Sequence, residues 1–192
     1  KTIYVNYIPA GQNMLTNGSF DNDTAPWVLA KNHDQVNAAM LVNDKGELAI
    51  DIKNGGSQIW SVQLRYNELP LIQGQTYVFE FDAYADATKP VDAKLERAGS
   101  PYENYGDIGT SYISRRRQHF SYQFTMEHGS DSQARIVFNC GGNTEDLYID
   151  NVSLTQLPTA VDERETTLQE FRLFANYPNP FNAGTSIRYQ LP

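Results

Sequence analysis

Basic residues are scarce in this 192-residue chain, where 15 Lys and Arg face 23 Asp and Glu for a net charge of −8. That balance argues against nucleic acid as a partner, because such binding draws most of its affinity from cations meeting phosphates. The one dense basic run, Arg115-Arg116-Arg117, reads as a solvated strand end or turn. A single cysteine excludes an intramolecular disulfide and any multi-cysteine metal site. Cys140 follows Val137, Phe138 and Asn139 in a strand-like segment and is expected to be a small buried hydrophobe. No apolar run approaches the roughly 20 residues of a membrane span, so no membrane insertion is expected. The three histidines, His33, His119 and His128, lie apart without metal-ligand spacing.

What the chain has in abundance is alternation of period two. In 76–85 it puts Tyr77, Phe79, Phe81, Ala83 and Ala85 on one face and Val78, Glu80, Asp82 and Tyr84 on the other. The same pattern turns Leu48, Ile50 and Ile52 inward, then Phe120, Tyr122, Phe124 and Met126, then Ala134, Ile136, Phe138 and Cys140. Short strands separated by Gly- and Asn-rich turns, with no convincing amphipathic helix before residue 160, predict an all-β fold: an antiparallel β-sandwich of two packed sheets spanning 1–157. A polar linker over 158–175 follows, in which 162–172 could form a short helix, and 176–192 reads as the start of a further module.

Candidate chemistry comes from three patterns. Tyr102 and Tyr105 sit in a Gly/Pro-containing loop, and exposed rings stack on the apolar faces of sugars. The solvent phase of 57–67 carries Ser61, Gln63, Arg65 and Asn67, and that of 133–139 carries Arg135 and Asn139, side chains with planar donors suited to paired hydroxyls. Carboxylates Glu80 and Asp82, with Asp92 and Glu96 on an apparently neighbouring strand, offer the alternative of a glycan-cleaving acid and base. Finally, the apolar phase slips between Ile149 and Val152, which predicts a bulge re-aiming Asp150, either as a capped turn or as a hard-cation ligand.

Several of these segments resemble the carbohydrate-binding modules of families 4 and 9. They are Asn13-Met14-Leu15-Thr16-Asn17-Gly18-Ser19-Phe20-Asp21 with Pro26-Trp27, then Trp60-Ser61-Val62-Gln63-Leu64, Gly74-Gln75-Thr76-Tyr77, Phe81-Asp82-Ala83-Tyr84-Ala85, and Tyr148-Ile149-Asp150-Asn151-Val152-Ser153-Leu154. The resemblance implies a jelly roll that binds β-1,4-xylan or β-glucan chains in a cleft on a concave sheet, without catalysis, and targets a covalently linked glycoside hydrolase. By position it implies Trp60, Gln63, Asn67, Tyr102, Arg135 and Asn139 as ligand-binding residues. Trp60 has two readings, since alternation groups it with Val62 and Leu64 in the core while the resemblance allows a stacking platform. Ala30 stands where glucan binders often carry a second aromatic, which weakens a cellulose-type assignment. The resemblance also implies a structural Ca²⁺ held by Ser19, Asp21, Asp44, Glu47 and Asp150. The tail Ala175-Asn176-Tyr177-Pro178-Asn179-Pro180-Phe181-Asn182 resembles the opening of type IX secretion sorting domains, implying a secreted or surface-attached bacterial protein. A monomer is expected, with a structural or adhesive spacer as the remaining alternative.

Overall fold

The computed structural model describes residues 10–33, 35–158, 172–173 and 189–190, with the backbone alone for 107–108 and for the last two pairs. Ten strands build two antiparallel five-stranded sheets. They are β1 Val28–Lys31, β2 Asn37–Val42, β3 Leu48–Asn54, β4 Val62–Leu71, β5 Thr76–Ala85, β6 Lys89–Arg97, β7 Asn104–Ile113, β8 Gln118–Thr125, β9 Asp131–Asn139 and β10 Leu147–Gln156. One sheet has the order β1-β4-β9-β6-β7 and the other β2-β3-β10-β5-β8. A two-stranded ribbon, β11 Arg172–Leu173 with β12 Tyr189–Gln190, falls in a second compact unit that begins at Pro158. The remaining residues of the linker and of the sorting-domain segment lie outside the described residues.

Alternating residues from the two inner faces form the core, as the period-two pattern requires. Tyr77, Phe79 and Phe81 of β5 are buried against Ile136 and Phe138 of β9, and the Phe81 and Phe138 rings meet edge to face at 4.9 Å. Trp27 completes this cluster, 5.1 Å from the Tyr66 ring, with its indole N–H donating to the Asn17 carbonyl. Phe120, Tyr122 and Phe124 point inward but are only half-buried, because β8 is an edge strand. Cys140 is fully buried, and burial pushes its thiol up to about 11.

Two details position the site. β5 and β6, consecutive in sequence, belong to different sheets, so Glu80 and Asp82 stand on the outer face of one sheet and Asp92 and Glu96 on the outer face of the other. The four carboxylates expected on neighbouring strands are therefore separated by the thickness of the sandwich. The second detail is the pairing of the unit's ends: Gly11 N–H donates to the Gln156 carbonyl at 2.9 Å, and Met14 N–H to that of Leu154 at 2.7 Å. Gly18 packs where a Cβ would sit 2.0 Å from the Val152 carbonyl oxygen, a contact with backbone that only glycine permits. The bulge expected near Asp150 is present, with pairing to β5 shifting between Asp150 and Ser153 and Asn151 at φ 52°.

Candidate functional site

Side chains directly opposite on antiparallel neighbours share a face, so the strand register reads out the site. Gln63 of β4 is opposite Asn139 of β9, which is opposite Asp92 of β6. One step along, Arg65, Val137 and Lys94 form a second row, and beyond it Arg135 pairs with Glu96. These rows floor a cavity of ≈ 450 Å³ on the outer face of the first sheet, lined also by Asn32, Ile59, Trp60 and Tyr102.

The floor, which alternation puts on the solvent phase, is a largely buried polar network. Arg135, Asn139 and Gln63 are nearly enclosed because β9 is the central strand and long side chains from β4 and β6 close over it. Gln63 Nε2 donates to Asn139 Oδ1 at 2.6 Å, and Asn139 Nδ2 donates to Asp92 Oδ2 at 2.8 Å. Asn32 Nδ2 reaches Gln63 Oε1 at 3.1 Å, and Arg65 Nε reaches the same oxygen at 2.9 Å. Arg135 Nε and Nη2 both bond Glu96 Oε1, and Lys94 lies 3.3 Å from Glu96 and 3.7 Å from Asp92. Satisfied in this way, the polar groups are held in fixed positions rather than left to rearrange.

Two aromatic side chains stand beside this floor. Trp60 is 43% exposed because Ile59–Ser61 forms a 3-10 turn, which breaks the alternation that would have placed it in the core. Its ring lies 4.9 Å from that of His33. Tyr102 is 54% exposed at φ 58°, a left-handed conformation unusual for an aromatic residue, in a turn closed by its N–H to the Gly99 carbonyl. The Arg135 guanidinium sits 5.4 Å from the Tyr102 ring centroid. Tyr105, the other loop ring, is structural. It belongs to β7, donates to Asp131 at 2.9 Å and is buried, and burial together with that bond pushes its phenol up to about 12.

Five of the six expected ligand residues therefore line one cavity, and Asn67 does not. Its strand bulges between Tyr66 and Leu69, with Glu68 at φ 61°, so Asn67 leaves the row it would have shared with Arg135. Asn32 and Lys94, absent from the sequence argument, line the cavity through strand order, which no local pattern announces. Tyr112, 69% exposed and opposite Pro90, lies on the same sheet face at its β7 edge, outside the cavity.

The residues expected to hold Ca²⁺ are arranged otherwise. Arg117 Nη2 bonds Glu47 Oε1 at 2.8 Å and Asp150 Oδ2 at 2.9 Å, and Nη1 lies 3.8 Å from Asp82. The other Glu47 oxygen accepts from Tyr84 at 2.6 Å and Asn43 at 2.9 Å. Ser19 Oγ donates to Asp21 at 2.7 Å, and Asp44 is exposed. Among the described residues no three His, Cys, Asp or Glu side chains gather to hold a metal. As arranged the donor set is not a ready cation site, because Glu47 and Asp150 face the Arg117 guanidinium, Asp21 accepts from Ser19 and Asp44 is exposed. Burial opposes the charged form of Glu47, yet bonds from Asn43 and Tyr84 and the Arg117 charge hold its carboxyl below the ordinary value. Burial likewise opposes Asp82, which bonds from Asn151 and His119 and the Arg117 charge bring below its own.

Comparison with known proteins bears on this geometry. A family model described as a carbohydrate binding domain, CBM_4_9, matches residues 12–147. Endoglucanase C of Cellulomonas fimi is 26% identical over 151 residues, 76% of this chain but 13% of that protein. A solved structure described as "CBM4 structure and function" superposes with a TM-score of 0.68 at 24% identity, covering 73% of this chain and 98% of its own. The second N-terminal cellulose-binding domain of Cellulomonas fimi β-1,4-glucanase C does so with a TM-score of 0.61 at 23% identity, covering 79% and 100%.

Proposed function

We propose that this chain, which belongs to the CBM_4_9 family of carbohydrate binding domains, binds a single β-linked polysaccharide chain, a β-glucan or a xylan, in the cleft floored by β4, β9 and β6. The observation that carries this reading is the pairing of two exposed rings, Trp60 and Tyr102, with a floor of fixed amide, guanidinium and carboxylate groups. Sugars present apolar faces to rings and paired hydroxyls to planar polar groups, and this cleft offers both. Stacking and hydrogen bonding, net of ordering and desolvation, give about 4 to 7 kcal/mol, a Kd of roughly millimolar to ten micromolar. Such an affinity is enough for a tethered module, because a linker raises the local concentration of whatever it joins.

The role is non-catalytic: the cleft acids Asp92 and Glu96 are engaged by Asn139, Lys94 and Arg135, and Glu80 and Asp82 stand on the other sheet. In this reading the module works as a monomer and holds an attached glycoside hydrolase of a secreted or surface-bound bacterial protein near its polymer. The type IX route rests on the tail motif alone.

Affinity electrophoresis through xylan, mixed-linkage β-glucan, laminarin and mannan, comparing the wild type with Tyr102→Ala, tests the cleft. Retardation by one polymer that the variant loses supports it and names the backbone. A folded protein that no polymer retards would sink it in favour of a spacer.

A further inference from the structure

The charges lining the cleft do not cancel. Three cations, Arg65, Lys94 and Arg135, share two carboxylates, Asp92 and Glu96, on a protein whose net charge is −8. Arg135 and Lys94 divide Glu96 between them, and Lys94 also faces Asp92. Arg65 is the surplus charge. Its Nε and Nη2 bond only neutral acceptors, Gln63 Oε1 and Asn32 Oδ1, and among the described residues no carboxylate comes within ion-pair distance. It is half-buried and beside Arg135, and both circumstances outweigh the charge of Glu96, which favours the guanidinium from beyond ion-pair distance. A partly enclosed cation without a contacting counter-charge is costly, and cations in such places are ordinarily paired. Nη1 makes none of these bonds and has no hydrogen-bond partner among the described residues, so its side of the guanidinium is the one offered to a guest.

We propose that the cleft selects a β-glycan carrying carboxylate groups, a uronate in the chain or on its branches, with Arg65 as the group that meets the carboxylate. This rests on the polysaccharide reading of the same cleft and narrows it. A guanidinium already fixed along its Nε and Nη2 edge by Gln63 and Asn32 loses little freedom when a carboxylate docks on the remaining side. The same surplus charge makes a neutral chain the weaker guest, since it would further bury Arg65 without compensation.

The test changes the ligand before it changes the protein. Using the full chain, affinity electrophoresis and calorimetry compare glucuronoxylan, the same polymer after chemical reduction of its carboxyls to alcohols, poly-β-mannuronate and mixed-linkage β-glucan. We expect glucuronoxylan or poly-mannuronate to bind about tenfold or more tightly than the reduced polymer. Preference between these two acidic polymers identifies a branch or a backbone uronate. The advantage shrinks at high salt, disappears in Arg65→Gln and is partly kept in Arg65→Lys. Binding of both acidic polymers no tighter than that of the reduced polymer overturns the proposal while leaving the cleft reading intact. Binding of the acidic polymer that Tyr102→Ala leaves unchanged places the charge effect outside the cleft and also overturns it. Failure of every polymer to bind overturns both readings together.

Discussion

Gln63 and Asn139 face each other across β4 and β9, the amide nitrogen of one donating to the amide oxygen of the other at 2.6 Å. The pair is the keystone of the cleft floor, since Asn139 also donates to Asp92 and Gln63 also accepts from Asn32 and Arg65.

Asn139→Ala should therefore cost stability as well as binding. It strands the buried Gln63 nitrogen and takes one donor from the partly exposed Asp92, a penalty of about 1 to 3 kcal/mol. Chemical denaturation should show a lower midpoint with an unchanged slope. A variant as stable as the wild type would mean that water replaces the lost amide.

Trp60→Ala and Tyr102→Ala should behave in the opposite way. Both rings are about half exposed, so the folded state loses little while affinity for the bound polymer falls by about tenfold for each. Calorimetry against an oligosaccharide of the retarding polymer, with melting curves alongside, separates the two effects. A loss confined to Tyr102 would assign Trp60 to shaping the cleft edge with His33.

These residues also show what the sequence could tell. Alternation located the core of β5 and β9 residue by residue, because a face either meets the opposite sheet or does not. It misread Trp60, where a three-residue turn interrupts the period, while the resemblance placed in the cleft Asn67, which a bulge carries out of its row. Alternation puts the outer face of β9 toward solvent, but enclosure of Arg135 and Asn139 depends on which strands flank β9, a long-range fact. Resemblance by position named five residues that line the cavity, whereas Asn32 and Lys94 needed the strand order.

Arg117 should be worth more to the fold than calcium. EDTA is expected to leave the melting temperature unchanged, whereas Arg117→Met, which leaves Glu47 and Asp150 facing each other without their shared cation, should lower it by several degrees. A large drop in EDTA, restored by added Ca²⁺, would show that the acids rearrange around an ion.

Acid should weaken the same corner. Glu47 and Asp82 titrate below their ordinary values of 4.5 and 3.8, so the stability they contribute is complete above those values and is lost as pH falls through the lower folded ones. Melting temperature should decline below about pH 4.5, and Glu47→Gln should flatten that decline while lowering stability at neutral pH. His119 runs the other way. Its bond to Asp82 raises it above 6.5, so its contribution is whole below that value and fades as pH rises through the folded one. Its exposure keeps that contribution small.

The paired ends of the sandwich set how it answers a pull. Gly11 and Met14 run antiparallel to Gln156 and Leu154, so tension applied through the two flanking chains meets these hydrogen bonds one after another, as in a zipper, instead of loading them together in shear. The first links yield at low force and lengthen the tether, and the load reaches the packed rings of Trp27, Phe81 and Phe138 only after the seam has opened. A module held by its cleft and tugged by its chain would thus have a short, soft spring in series with a stiff body.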